Sequence, residues 1–330
     1  MRGKNLPVLL VIVLLSACHV FLGPDPDNSP KGIFDSIWND FNETYALFDV
    51  KGIDWDEVYK TYSPEIQPDI NSFRLFRICE EMLYELDDPH VRLISPFSNP
   101  SEKEAFDLEY VTNKLNGGGA FVGDNMFFYG TFQEKPDVGY IYIRSFKSIK
   151  INNTFDPIQP WAKEIDDILQ SLANTDSVIL DIRDNGGGVP AYAEYIAGRF
   201  VAVEKDYIKA STKNGPGRND FSSPVSFTIR PAGPVYTRPV VLITNNQTAS
   251  AAEWFTLALR TQNHVTHVGE TTRGAFSVMI IRPLINGWEY TMSIQKVTDI
   301  EGNCYEGIGI TPEHIVAGDD AQLDYALSLF

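Results

Sequence analysis

The segment Val178-Ile-Leu-Asp-Ile-Arg-Asp-Asn-Gly-Gly-Gly188 decides the fold class. A short apolar run, interrupted only by Asp181, reads as a buried strand. It ends in a polar turn, and three glycines then open the next element, a helix indicated by Tyr192, Tyr195, Ile196 and Phe200. Glycine at such a turn permits positive φ and close approach of backbone to a ligand. Amide N–H groups at a helix start can hold an anion or an oxyanion. The segment Val240-Val-Leu-Ile-Thr-Asn-Asn-Gln-Thr-Ala-Ser-Ala-Ala-Glu253 repeats the plan of strand, polar turn and helix. Outward from these two, Val138 to Phe146 alternates like a strand, Ile158 to Leu172 carries a helical stripe, and Val265 to Gly269 is a further strand. Strands separated by helices predict an α/β fold with a largely parallel sheet and crossover helices. Asn286-Gly287 between apolar runs predicts a hairpin, and a second turn falls at Glu301-Gly302-Asn303. No Gly-x-Gly-x-x-Gly or Gly-Lys-Ser/Thr loop occurs, and no cofactor is expected.

Composition narrows the function. The 330 residues carry 44 acidic and 27 basic side chains, a formal charge of -17, with no basic stripe, so nucleic acid is excluded as a partner. Three cysteines are too few for a disulfide scaffold or a Cys-rich zinc module. Arg2 and Lys4 precede the apolar run Val8 to Leu15, which is too short to span a bilayer. The run ends Leu15-Ser-Ala-Cys18, similar to a bacterial lipobox. That resemblance implies a signal peptide over 1–17, lipidation of Cys18, and a Gly- and Pro-containing tether over 18–30. The expected location is the bacterial cell envelope, on a lipid anchor and facing the periplasm or the surface.

Between the tether and the sheet, Phe34, Ile37, Trp38, Phe41, Tyr45 and Phe48 lie at helical spacing. Further helices are expected over 54–62 and from Asn71 or Ser72 to about Leu86. Residues 31–95 therefore form a small N-terminal helical module, and 96–330 form the second domain. Candidate chemistry sits in three places. Ser250 stands where a helix begins, so the positive end of the helix dipole favours a developing alkoxide. The same Ser250 with Glu253 also has the spacing of a capping box, which needs no chemistry. His90 closes the turn Asp87-Asp-Pro-His90. His264 and His267 could pair on a metal, but no third ligand is near in sequence and no metal is expected.

These segments together resemble the tail-specific, or C-terminal processing, peptidases of family S41. The carriers are Asp87-Asp-Pro-His90, Val138-Gly-Tyr-Ile-Tyr-Ile-Arg-Ser-Phe146, Leu180-Asp-Ile-Arg-Asp-Asn-Gly-Gly-Gly188, Thr248-Ala-Ser-Ala-Ala-Glu253, Gly269-Glu-Thr-Thr-Arg-Gly274 and Tyr305-Glu-Gly-Ile-Gly-Ile-Thr-Pro312. The resemblance implies a crotonase/ClpP-like catalytic core over 96–330 and makes Ser250 the nucleophile. One branch of the family uses a Ser–Lys dyad, but Ala275 and Phe276 follow Gly274 here, and the nearest downstream lysine is Lys296. The other branch, that of the tricorn core and the retinoid-binding relatives, implies His90 as base and Glu306 as its orienter.

On that basis Ser250 Oγ attacks the scissile carbonyl, His90 relays the proton, and the N–H groups of Ala251 and Gly187 hold the oxyanion. The tricorn-type tetrad has a serine just before the histidine. Pro89 stands there, and Asp88 is a weak stand-in. Substrates are polypeptides. The segment from His90 to Val138 is too short for a PDZ module, so none is expected, and Glu102 to Thr131 is expected to form a small β-element rimming the cleft. Cys79 and Cys304 are expected to be free thiols, with a disulfide conceivable if the triad forms. Two rival readings are a non-catalytic binder of apolar ligands or peptides on the same scaffold and a crotonase-like acyl-CoA enzyme.

Overall fold

The computed structural model describes residues 27–98, 106–148 and 158–330. The expected signal peptide and Cys18 lie outside these residues. The central sheet has seven strands in the order His314–Ile315 (β13), Val265–Gly269 (β9), Val240–Thr244 (β8), Ser177–Asp181 (β5), Val138–Ile143 (β4), Phe127–Thr131 (β3) and Ala120–Val122 (β2). From β13 to β4 all pairs are parallel, and β3 and β2 join antiparallel. The α/β expectation with a largely parallel sheet holds. Every residue of β4, β5 and β8 is buried, as expected of strands covered on both faces.

The helix Ala251–Arg260 explains its own position. Its residues from Ala251 to Leu259 are all buried, so it passes through the core rather than lying on it. It packs with Pro190–Ala197 and the aromatic cluster of Phe146, Trp161 and Phe200 on one face of the sheet. The C-terminal helix Asp319–Ser328 covers the other face through Leu323 and Ala326.

Several expectations need correction. The Gly117–Gly119 region does not make a separate element on a rim. It leads into β2 and β3, which extend the main sheet at its edge. The stripe over 158–172 divides into two short helices, Pro160–Lys163 and Ile165–Ser171. A three-stranded antiparallel sheet of Gln295–Asp299 (β12), Lys205–Thr212 (β6) and Val225–Ile229 (β7) was not foreseen.

The helical front end forms from good local signals. Pro30 opens the first helix, Pro30–Thr44, and Ser29 caps it by accepting from the Gly32 N–H. Asp54 and Asn71 cap the helices Trp55–Tyr62 and Ser72–Tyr84 in the same way. Trp38 and Trp55 stack, and each indole N–H donates to the other's carbonyl at 3.0 Å. The hairpin foreseen at Asn286-Gly287 joins Met279–Pro283 (β10) to Glu289–Ser293 (β11). Its Leu284, Trp288, Tyr290 and Met292 complete the helical module's core. β11 also pairs with Arg92–Ile94 (β1), placing Thr291 opposite Arg92. The hairpin therefore fastens the segment that carries His90 to the rest of the chain.

Trp55 is fully buried among Trp38, Phe41 and Phe48. Trp55→Ala is expected to cost about 4 kcal/mol, measured as a lowered urea midpoint. A loss under about 1 kcal/mol would contradict this packing.

Candidate active site

Both signature loops hang from the carboxyl ends of adjacent parallel strands, β5 and β8, where sheets of this type place their ligands. The loops are tied together. Thr248 Oγ1 donates to the Ile182 carbonyl at 2.9 Å, and the Ala249 N–H donates to the Asn185 carbonyl at 3.0 Å. Asn245 Nδ2 donates to Asp184 Oδ1 at 2.8 Å, while the Asp184 N–H donates to Asn245 Oδ1 at 3.0 Å. Asp181 and Arg183 point away from this site. They form a buried ion pair with Tyr140 on Asp181, and Arg183 Nη1 donates to the Asp319 carbonyl of the C-terminal helix. Their role is to frame the loop.

Ser250 has φ 59° and ψ -125°, a conformation that costs a non-glycine residue about 1–3 kcal/mol. Its Oγ makes no cap hydrogen bond. Glu253 accepts from the Ser250 N–H at 3.0 Å, so the capping spacing reflects a bond to the backbone and leaves the hydroxyl free. The Ala251 N–H makes no hydrogen bond among the described residues. Gly187 packs directly on this turn, where a Cβ would fall 2.7 Å from Ser250 Cβ and 2.8 Å from Ala251 N. Its N–H, however, donates to Asn185 Oδ1 at 2.9 Å. The expected donor role of Gly187 is corrected accordingly. Gly187 clears space beside the serine, and the amides on either side of it, Gly186 and Gly188, have no acceptor among the described residues.

Four successive amides organise the rest. Gly274 and Ala275 donate to Glu253 at 2.7 and 2.8 Å, and Phe276 and Ser277 donate to Glu306 Oε2 at 2.8 and 3.0 Å. Thr272 Oγ1 adds a fourth donor to Glu253 at 2.6 Å. Burial lifts the Glu253 carboxyl to about 7, against the pull of its donors. Burial also lifts Glu306 to about 8, helped by the charge of Asp88 and opposed by the Phe276 N–H. Glu306 Oε1 is buried and has no partner among the described residues.

His90 approaches from the front module. Its N–H donates to Asp88 Oδ1 at 2.8 Å, its carbonyl accepts from Thr291 Oγ1 at 2.6 Å, and Tyr45 donates to Asp88 Oδ2 at 2.9 Å. Asp88 thus shapes the turn through the backbone and does not touch the imidazole by a hydrogen bond. Burial lowers the His90 pKa, with Asp88 opposing. Nδ1 of His90 is buried without a partner among the described residues. Lys51 lies between the two loops. Its Nζ donates to the Asp87 carbonyl at 2.6 Å and sits 3.2 Å from where a Cβ on Gly307 would be. The structure therefore links Ser250 and Glu306 through one strand of amides and brings the His90 turn beside the Glu306 loop. No hydrogen bond joins His90 to Ser250 or to Glu306 among the described residues.

The other candidates fall away. His267 is buried on Thr244 Oγ1 at 2.8 Å and pushed down to about 3 by burial. No cluster of three His, Cys, Asp or Glu that could hold a metal occurs among the described residues. Cys79 and Cys304 are free thiols. Ala275, at the lysine position of the Ser–Lys branch, is buried at 1% exposure. Sequence reasoning saw Glu253 only as a cap and missed Lys51. Neither carries a local signal, because both act through chain segments far away in sequence.

Ser250→Gly is expected to remove the strain and raise stability by about 1 kcal/mol, after allowing for glycine's entropy in the unfolded chain. Urea unfolding measures this, and a destabilised variant would show that the backbone at Ser250 is not strained.

Comparison with known proteins identifies the family. A family model described as Peptidase family S41 matches residues 137–316. A model of the tricorn protease C1 domain matches residues 26–84. The carboxy-terminal processing protease CtpA of Bacillus subtilis is 28% identical over 179 residues, which is 54% of this chain and 34% of that protease. The chain thus spans about a third of the length of that curated relative. The crystal structure of a candidate peptidase from Parabacteroides merdae has a TM-score of 0.79 and 29% identity, covering 92% of this chain and 97% of that one. A lipoprotein from Streptococcus agalactiae shares the fold at a TM-score of 0.60 and 17% identity, covering 92% and 96%. With the S41 model matching more than half of its length, the chain belongs to peptidase family S41.

Proposed function

We propose that the protein is a serine endopeptidase that cleaves polypeptides through an acyl-enzyme, with Ser250 as nucleophile, His90 as base and Glu306 as orienter. The carrying observation is that His90 Nδ1 and Glu306 Oε1 are both buried without partners, and a bond between them would satisfy both. Catalytic hydrogen bonds often tighten only when substrate binds. In the reaction the Ser250 proton passes to His90 Nε2 as the Oγ–carbon bond forms. The carbon–nitrogen bond then breaks as that proton reaches the leaving amine, and water repeats the cycle on the ester. The free Ala251 and Gly188 amides are the proposed oxyanion donors, with Gly187 providing clearance.

Membrane attachment is part of the same proposal. No described helix is long and apolar enough to cross a membrane, and lipid on Cys18 would supply the anchor. Cys18→Ser should move the protein from the membrane fraction to the soluble fraction. Unchanged partition would remove the anchor from the account.

The base must be neutral and hold its remaining proton on Nδ1. Burial keeps His90 neutral near pH 7. A protonated Glu306 would instead donate to Nδ1 and leave the proton on Nε2, which is the wrong tautomer. Losing the Glu306 proton near pH 8 corrects this. Accordingly kcat/KM should rise as pH passes through about 8, and Glu306→Gln should abolish that limb and lower the rate about 10³-fold. A fluorophosphonate should label the wild type and not Ser250→Ala. Folded wild-type protein that resists the probe would favour the non-catalytic binder, and turnover of a CoA thioester by Ser250→Ala would favour the acyl-CoA reading.

A further inference from the structure

A groove of about 960 Å³ runs beside the His90 turn and reaches across to the loop behind Ser250. Its walls include Tyr84 and Ile94, both exposed, and it is flanked by Arg92 and Arg273. Arg92 is two residues beyond His90 on β1, and the Arg273 N–H donates to the Thr248 carbonyl at 2.9 Å, two residues before Ser250. The two guanidinium groups thus stand on the base side and the nucleophile side of the site.

Among the described residues neither side chain has a hydrogen bond, ion pair or ring contact, whereas every other described arginine has at least one. In a chain with 44 acidic and 27 basic residues, leaving these two unpaired is notable because carboxylates are plentiful. The acidic residues in the groove leave both guanidinium groups without a direct partner. Glu80 pairs with Arg77, Asp88 is held by the His90 N–H and the Tyr45 hydroxyl, and none of Glu80, Asp87 and Asp88 forms an ion pair with Arg92 or Arg273 among the described residues. β1 is an edge strand of its sheet, so an extended chain can lie alongside it.

We propose that this groove is the substrate subsite and that Arg92 and Arg273 bind a carboxylate of an extended polypeptide, within a few residues of the bond to be cut. The inference rests on the protease reading and adds the class of substrate. Guanidinium groups bind carboxylates in two-pronged fashion, and the carboxylate can come from an acidic side chain or from the end of the chain.

The test measures binding and not turnover. Ser250→Ala protein is titrated with fluorescent peptide pools of random neutral sequence, with an amidated end, a free carboxylate end, or an amidated end and one internal Glu. At least one carboxylate pool should bind about 10-fold tighter than the neutral pool. That advantage should vanish in Arg92→Gln/Arg273→Gln and partly return in the double Lys variant. An advantage only for the free-end pool assigns the chain terminus, and one only for the Glu pool assigns an acidic side chain. Equal affinities, no binding to any pool at about 1 mM, or an advantage that survives in the Gln variant would overturn the inference. Fluorophosphonate labelling of the wild type judges the protease reading separately. A labelled protein without carboxylate preference would leave the protease and remove this subsite.

Discussion

Two buried carboxylates share one run of four backbone amides, Gly274 to Ser277, and the site depends on that sharing. Through Glu253 the run holds the amide of Ser250 and so the start of the central helix. Through Glu306 it holds the carboxylate that faces the front module. The two acids are close enough for the charge of Glu253 to raise Glu306 further. Like charges in a dry site resist joint ionisation. On the proposed mechanism, a proton held by this pair near neutrality decides the tautomer of His90.

The sequence made the parallel sheet, the two loop-bearing strands and the hairpin legible because each has a local cause. β5 and β8 are apolar runs ended by polar turns, and Asn286-Gly287 leaves little choice of turn. Ser250, His90 and Glu306 were singled out through their motifs, and their roles are those proposed above. The sharing of amides was not, because it needs residues 253, 274–277 and 306 to meet, and no periodicity encodes that. Gly187 was misread for a related reason. Its glycine identity signals close approach, but whether an amide is free depends on a neighbour's side chain, here Asn185. The antiparallel strands β6, β7 and β12 are only partly buried, so their patterns are weak.

On the proposed mechanism the front module belongs to the site as much as the sheet does. His90 is held from three directions, by Asp88 within its own turn, by Thr291 on the hairpin and by Lys51 through Asp87. Because the hairpin comes from residues 279–293 and packs into the helical core, the module cannot drift from the sheet without losing Trp288, Tyr290 and Met292 from its interior. The strain at Ser250 is held by its own turn, with Glu253 on its N–H and Gly187 against its Cβ, as expected where a fold over-determines one residue.

The most direct measurement is a crystal structure of the protein carrying a phosphonyl group on Ser250. The account predicts His90 Nε2 within hydrogen-bond distance of Ser250 Oγ and Glu306 Oε1 within the same distance of His90 Nδ1. It also predicts the phosphonyl oxygen on the amides of Ala251 and Gly188. An adduct in which His90 stays apart from both partners, or an oxygen held by neither amide, would contradict it.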